Sequence, residues 1–274
     1  MSENSPRFCA LGALYNGEKA EYFECCLKSL DEQTIKIPIY IVIDGFIREE
    51  LETVIKNYEH LNIVLLRKNE NEGLAKALQH GLKMLHKDFD YVIRFDSDDI
   101  NREDRFLKIK KFCTEFKPDV VSSHMFEIDD TGEVFSQRNV PVSTKKIKNE
   151  MAHRNPINHP ASAFRLKSVL NVGGYQAMPF FEDWYLWLRV LKAGGKILNI
   201  NDHLVSFRAT DEMISRRYGL NYMKHEAHFF LIRDKEKLVS PLRNWLGFLV
   251  RFLSKSFGFK FYKKLFFWSR KLYS

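Results

Sequence analysis

Three carboxylates fall within four residues at Asp96-Ser97-Asp98-Asp99. Like charges this close raise one another's pKa unless a cation compensates them. Oxygen-only ligation with few protein ligands suits Mg²⁺ or Mn²⁺, completed by phosphate oxygens and water. The simpler alternative is a helix N-cap, with Asp99 or Asn101 ahead of Arg102-Glu103-Asp104. A second acidic pair, Glu182-Asp183, is flanked by Phe180, Phe181, Trp184 and Trp187. At a helix start these acids could serve only the helix dipole. An aromatic, partly desolvated wall would instead raise a carboxylate's pKa toward general-base duty. Group transfer with inversion needs one carboxylate to deprotonate an acceptor hydroxyl while a metal stabilises a leaving diphosphate. Two separate acidic sites match that division.

The elements that must position these groups alternate over the first 120 residues. Strands are expected at residues 8–14, 37–43, 63–66, 91–95 and 120–123, with helices at about 18–31, 48–58, 73–86 and 102–116. The run 37–43 is almost continuously apolar, as a strand covered on both faces must be. Alternation at this pitch implies right-handed βαβ units and a mainly parallel sheet. Ligands of such sheets bind beyond the carboxyl ends of the strands. Tyr15-Asn16, Asp44-Gly45 and Asp96–Asp99 all follow strand ends, so topology alone brings them to one rim. Further along, Asp129-Asp130-Thr131-Gly132 reads as a hairpin turn. Residues 143–150 read as an exposed helix, and 184–191 as a buried one ended by Gly194-Gly195.

Charge is unevenly distributed. Residues 240–274 hold eight basic residues and no acid, which accounts for the formal net charge of +8 and leaves 35 basic against 35 acidic residues before them. The body therefore gives no electrostatic support for nucleic-acid binding. The four cysteines lack paired metal-ligand spacing and are expected as buried, reduced thiols. The first seven residues carry no apolar signal core and no stretch reaches the length of a membrane span, so a cytoplasmic chain is expected.

Over residues 7–210 the chain resembles glycosyltransferase family 2, the inverting enzymes of GT-A fold, and in particular bacterial amylovoran, O-antigen and capsule sugar transferases. The resemblance rests on an ordered series: Tyr15-Asn16, Asp44, Asn71 to Leu78, Arg94 to Ile100, Arg105, Asn155 to Pro160, Val172 to Tyr175 and Glu182 to Trp187. It implies an α/β GT-A domain, a Mn²⁺ or Mg²⁺ cofactor, a UDP-sugar donor and an undecaprenyl-diphosphate-linked saccharide acceptor. Tyr15, Asn16, Asp44, Asn71, Gly73, Lys76, Arg94 and Asp96 would bind the donor, with Asp44 on uracil. Asp98 would be the principal metal ligand, sharing the metal with Asp96. Asp183 would be the base and Glu182 would position substrate. His159, Trp184 and Gly174 would serve the acceptor or the diphosphate. Two departures stand out: Gly45 where many members have a second acid, and Gln79 where many have Asn. A phosphatase of the haloacid-dehalogenase kind also uses Asp-x-Asp after a strand, but on the first strand and followed by Thr or Val. The same carboxylates would also suit a metal-dependent nucleotidyltransferase, and a degenerate transferase fold would suit a non-catalytic membrane adaptor.

Residues 240–274 contain 11 of the 38 aromatic residues. Leu246, Leu249, Leu253 and Phe257 recur at helical spacing, as do Phe261, Leu265, Trp268 and Leu272. This composition fits helices lying on an anionic leaflet, each basic residue contributing about 1 kcal/mol; a helix docked on the catalytic domain would have the same pattern. The expected organisation is a GT-A domain over 1–215 and a helical, basic-aromatic, membrane-associating segment over 216–274, at the cytoplasmic face of the inner membrane.

Overall fold

The computed structural model describes residues 5–256 and 258–271, with side chains for 5–210, 213–256 and 258–265. Phe257, Leu272 and Tyr273 of the aromatic tail lie outside the described residues.

The first half is built as the alternation predicts. Strands β1 (Phe8–Leu14), β2 (Ile39–Asp44), β3 (Val64–Lys68) and β4 (Tyr91–Arg94) are joined by helices α1 (Ala20–Asp31), α2 (Glu49–Asn57) and α3 (Leu74–Leu85). They pair in parallel in the order β3-β2-β1-β4. Successive residues of β1 enter opposite cores: Cys9 and Leu11 face one, Phe8, Ala10 and Leu14 the other. Every one of them is buried, so neither face can be polar.

Beyond β4 the sheet becomes mixed. After β5 (Ile100–Asn101) come α4 (Arg105–Phe116), β6 (Val120–Ile128), β7 (Val134–Arg138), α5 (Thr144–Glu150), β8 (Ala163–Arg165), α6 (Leu166–Asn171), α7 (Glu182–Lys192) and β9 (Ile197–Arg208). The strand at 120–128 does not lie beside β4 as a continued βαβ series would put it. The short β8 inserts between them, antiparallel to both. Strand β9 runs parallel to β6 and pairs antiparallel with β5, carrying the sheet back over the carboxyl end of β4. The hairpin β6–β7 forms on the expected turn, where the Asp129 carboxylate accepts from Thr131 N and Glu133 N.

Helix α7 is buried on nearly all sides from Trp184 to Val190. Helices α8 (Asp211–Ser215), α9 (Leu220–Lys235), α10 (Pro241–Ser256) and α11 (Phe259–Lys271) follow β9. Phe229 and Phe230 of α9 enter the same core as Trp184 and Trp187. Phe229 stacks on Phe181 with ring centroids 4.7 Å apart. Helix α10 docks through buried Asn244, whose Nδ2 donates to Phe230 O at 2.9 Å. Its other side leaves Leu242, Trp245, Leu246, Leu249, Val250 and Leu253 exposed. The tail therefore packs on the sheet-bearing part of the chain and presents an apolar face outward. No helix among the described residues is long and apolar enough to cross a membrane. Of the cysteines, Cys9, Cys26 and Cys113 are buried and Cys25 is exposed; none is in a disulfide.

Candidate active site

Strand β4 ends in Arg94, which is 1% exposed, and the chain then turns through Asp96–Asp99. Carboxylate oxygens of Asp96, Asp98 and Asp99 lie within 4.8 Å of one another. The Arg94 guanidinium pairs with Asp96 Oδ1, leaving its buried Nε and Nη1 without a partner. Glu18 closes the cluster from α1's approach, its Oε2 accepting from Ser97 Oγ at 2.6 Å. Burial, followed by the charges of Asp96 and Glu18, pushes Asp98 up to about 7. Burial and the two neighbouring aspartates hold Asp99 well above the usual carboxylate range.

The helix-cap reading of this cluster fails. Helix α4 begins only at Arg105, after β5, and has no side-chain cap. Asp99 instead accepts from Arg208 N of β9 at 2.9 Å through Oδ1, while its buried Oδ2 has no partner. Three crowded carboxylates, one orphaned buried oxygen and a single pairing arginine fit a hard divalent cation held through oxygen.

At the ends of β1 and β2 the expected donor residues are tied to one another. Asp44 is buried and accepts from Lys68 Nζ at 2.6 Å, Gly73 N at 2.8 Å and Glu72 N at 3.1 Å. Its carboxylate thus fixes the 71–73 loop that starts α3. Gly45 explains the missing second acid. Its φ is +85°, and a Cβ there would sit 2.7 Å from Asn71 N, so no side chain fits. Asn71 Oδ1 accepts from Gly73 N at 3.2 Å, and Asn16 Oδ1 from Arg48 N at 2.8 Å. Tyr15 is exposed on this rim. Lys76 is set apart: it lies on the surface, paired with Glu72 one helical turn away, and it is Lys68 that reaches Asp44.

Glu182 and Asp183 open α7 and face Asp96 and Arg94 across a cavity of about 390 Å³. Asp183 Oδ2 accepts from Asn155 Nδ2 at 2.6 Å and Oδ1 from Trp184 N at 2.7 Å. Glu182 Oε2 is buried and unpartnered. Burial, then the Asp183 charge, pushes Glu182 up to about 7, and burial raises Asp183 as well. Phe180 just before the pair has φ +70°, a left-handed conformation that costs a non-glycine residue on the order of 1–3 kcal/mol and is found at functional sites.

The three residues expected on the acceptor side separate. His159 lines the same cavity, with Nε2 2.6 Å from Tyr175 Oη; burial and Arg94 hold it well below its usual pKa, so it is a neutral wall residue. Trp184 belongs to the core. Its Nε1 donates to Met151 O at 3.0 Å and its ring packs on Phe229, with one edge reaching the cavity beyond Asp183. Gly174 has φ +65° and admits Gln79, whose Oε1 would lie 2.0 Å from a Cβ and accepts from Tyr175 N at 2.7 Å. Its close approach is to a side chain of α3.

Arg138, Arg216 and Arg217 also line the cavity and were missed in the sequence, as were Glu18 and Arg208. The adjacent Arg216-Arg217 pair carried a signal, since two neighbouring cations outside the basic tail follow immediately after the last strand and α8.

Known proteins share the sequence and the fold that carry this aspartate cluster and carboxylate pair. The chain is 35% identical to the amylovoran biosynthesis glycosyltransferase AmsE of Erwinia amylovora, over 90% of this chain and 93% of that protein. It is 34% identical to the UDP-Gal:alpha-D-GlcNAc-diphosphoundecaprenol beta-1,3-galactosyltransferase of Escherichia coli, over 97% and 98%. Residues 1–349 of TarS from S. aureus, solved with UDP-GlcNAc, superpose with a TM-score of 0.66 at 18% identity, covering 92% of this chain and 72% of that one. The shared architecture is the GT-A fold. The profile described as Glycosyl transferase family 2 matches residues 13–174, the span that carries the strand-end rim, the aspartate cluster and Asn155, and the chain belongs to that family.

Proposed function

We propose that the protein transfers a hexosyl unit (glucose, galactose or N-acetylhexosamine) from a UDP-sugar, with inversion, to an undecaprenyl-diphosphate-linked saccharide in surface polysaccharide assembly. The O-antigen, capsule and exopolysaccharide classes of product all fit. The observation that carries this reading is the single cavity on which Asp96 and Asp183 meet. The name of the E. coli galactosyltransferase supports the donor and acceptor classes, and that of AmsE the polysaccharide product.

Asp98 and Asp96 are the residues to hold Mn²⁺ or Mg²⁺, with Asp99 beside them. A divalent cation there supplies charge stabilisation to the departing diphosphate. Arg94, with two buried nitrogens unpaired, adds fixed positive charge on the same side. Asp183, oriented by Asn155, takes the proton from the acceptor hydroxyl. That oxygen attacks the anomeric carbon from the face opposite the diphosphate, the bond to the diphosphate breaks, and UDP leaves. Glu182 positions the acceptor sugar. Asp44 acts on the uracil side through the loop it fixes.

The exposed apolar face of α10, on a helix with basic residues, supports peripheral attachment to the anionic cytoplasmic face of the inner membrane. We place the division between catalytic domain and membrane-associating segment at residue 215, where α8 ends after the last strand. Arg216 and Arg217 then serve the cavity from the second unit.

A panel of UDP-sugars with Mn²⁺ and a synthetic saccharide-diphosphate-lipid tests the reaction. Wild type should release UDP only with acceptor present, and both Asp98→Ala and Asp183→Asn should abolish it. Full turnover by both variants overturns the site, and phosphate or pyrophosphate release without acceptor overturns the reaction class. For the membrane, Leu246→Ser/Leu249→Ser/Leu253→Ser should lose flotation with phosphatidylglycerol vesicles while folding normally. Unchanged flotation removes that role.

A further inference from the structure

A second cavity, of about 400 Å³, lies on the other side of Asp183, enclosed by the start of α7 and by α10 and α11. Five cations line it, Arg138, Arg154, Arg217, Arg251 and Lys255, and Asp183 is the one carboxylate among the described residues of its lining. Two further acids stand behind this wall. Glu226, 1% exposed, pairs with Arg251 at 2.6 Å and Lys255 at 2.9 Å, and Glu150 pairs with Arg154 at 2.7 Å. Five positive charges against three negative leave a formal excess of two. Burial first and the neighbouring cations second push Arg138 down to about 9 and Lys255 down to about 8, while Glu226 holds Arg251 above its usual value.

The cavity touches both features that the transfer needs. Asp183, Phe180, Arg138 and Arg217 line this cavity and the donor-side cavity alike, so a ligand here reaches the base. Val250 lines it too and is 67% exposed within the apolar face of α10, so the cavity meets that face. Cationic walls that open onto a hydrophobic strip fit a molecule with a diphosphate diester, which carries two negative charges, and a long apolar chain.

We propose that this cavity binds the diphosphate of the lipid-linked acceptor, with the polyprenyl chain running out along the exposed face of α10. The sugar next to the diphosphate then lies beside Asp183. The donor's diphosphate belongs at Asp96–Asp98, across the shared wall. The inference rests on the reaction proposed above for its acceptor, but the binding it describes can be measured without turnover.

The probe is geranyl diphosphate, with geraniol as its uncharged control, bound to full-length protein saturated with UDP and Mn²⁺. Wild type should bind the diphosphate and not the alcohol. Arg217→Gln should weaken binding at least tenfold. Lys255→Gln, which leaves Glu226 paired with Arg251 and so creates no lone buried charge, should do the same. In turnover, Lys255→Gln should raise KM for a saccharide-diphosphate-geranyl acceptor and leave KM for the matching saccharide geranyl ether within about twofold. No binding by wild type, displacement of the bound UDP, or equal KM changes for the two acceptors overturns the proposal. So does loss of affinity for phosphatidylglycerol vesicles with diphosphate binding intact, which assigns the cations to phospholipid headgroups. Binding without any transfer would instead leave the site standing and refute the reaction.

Discussion

Asn155 Nδ2 donates a 2.6 Å hydrogen bond to Oδ2 of Asp183, on the wall that the two cavities share. With Trp184 N on the other oxygen, the carboxylate is held in one orientation, and each oxygen keeps a lone pair for an acceptor hydroxyl. Replacing Asp183 by Asn keeps the shape and removes the base, so kcat should fall roughly 10²–10⁴-fold. Asn155→Ala frees the carboxylate to rotate and should lower kcat by about tenfold, the order of one hydrogen bond's free energy. Donor KM should hardly change in either variant. A larger effect on donor KM than on kcat would move Asp183 from proton transfer to donor binding.

The acid pair also sets a pH dependence. A base acts when ionised, and both carboxylates are pushed up, Glu182 to about 7. The acid limb of kcat/KM should therefore lie above the ordinary carboxylate range near pH 4, with activity lost as pH falls through it. Stability runs the other way. With a folded pKa above the unfolded value, Glu182 binds its proton more tightly in the fold, so its contribution declines as pH rises from about 4 to 7 and is flat beyond. Glu182→Gln should raise the urea midpoint at pH 8, by on the order of 1–3 kcal/mol in stability, and leave it unchanged at pH 4. Equal midpoints at both pH values would mean that Glu182 is solvated.

The aspartate cluster predicts opposite responses from two neighbours. Asp99→Asn keeps an oxygen for Arg208 N and removes a charge that burial already disfavours. Without metal it should melt no lower than wild type. Asp98→Ala should abolish the increase in melting temperature that Mn²⁺ with UDP gives wild type, since binding to the folded state alone stabilises it. A full Mn²⁺ response in Asp98→Ala would place the metal elsewhere.

The rim was legible because short, nearly continuous apolar runs mark the first strands and stripes at period 3.6 the helices between them, and the parallel crossovers then put Asp44 and Asp96 at one edge. Position along the chain could not reveal β8. Three residues between a 3₁₀ turn and a helix carry too little pattern, and only long-range pairing inserts them between β4 and β6. Asp99 looked like a cap because the residues after it suit a helix start, yet β9 claims that segment as a strand partner first. Arg138, Arg216 and Arg217 reach the site from a hairpin and from the junction after α8, where no periodicity marks a side chain as inward. The tail showed its composition, but not that one face of α10 would dock through Asn244 while the other stays bare.

Gly174 offers a test of the wall that holds His159. An added Cβ would sit 2.0 Å from Gln79 Oε1 at a φ of +65°, so Gly174→Ala meets both a clash and backbone strain. Gln79 cannot retreat without giving up its bond to Tyr175 N, and Tyr175 Oη is what holds His159 Nε2. The substitution should cost about 1–3 kcal/mol in stability. In a Gln79→Ala background the clash disappears and the strain remains, so the cost of Gly174→Ala should be smaller there. A double-mutant cycle reads this as a coupling of at least about 0.5 kcal/mol between the two positions. A coupling of zero would show that the glycine serves only its backbone conformation. In that case the contact with α3 does not set the position of Tyr175 and His159 at the cavity wall.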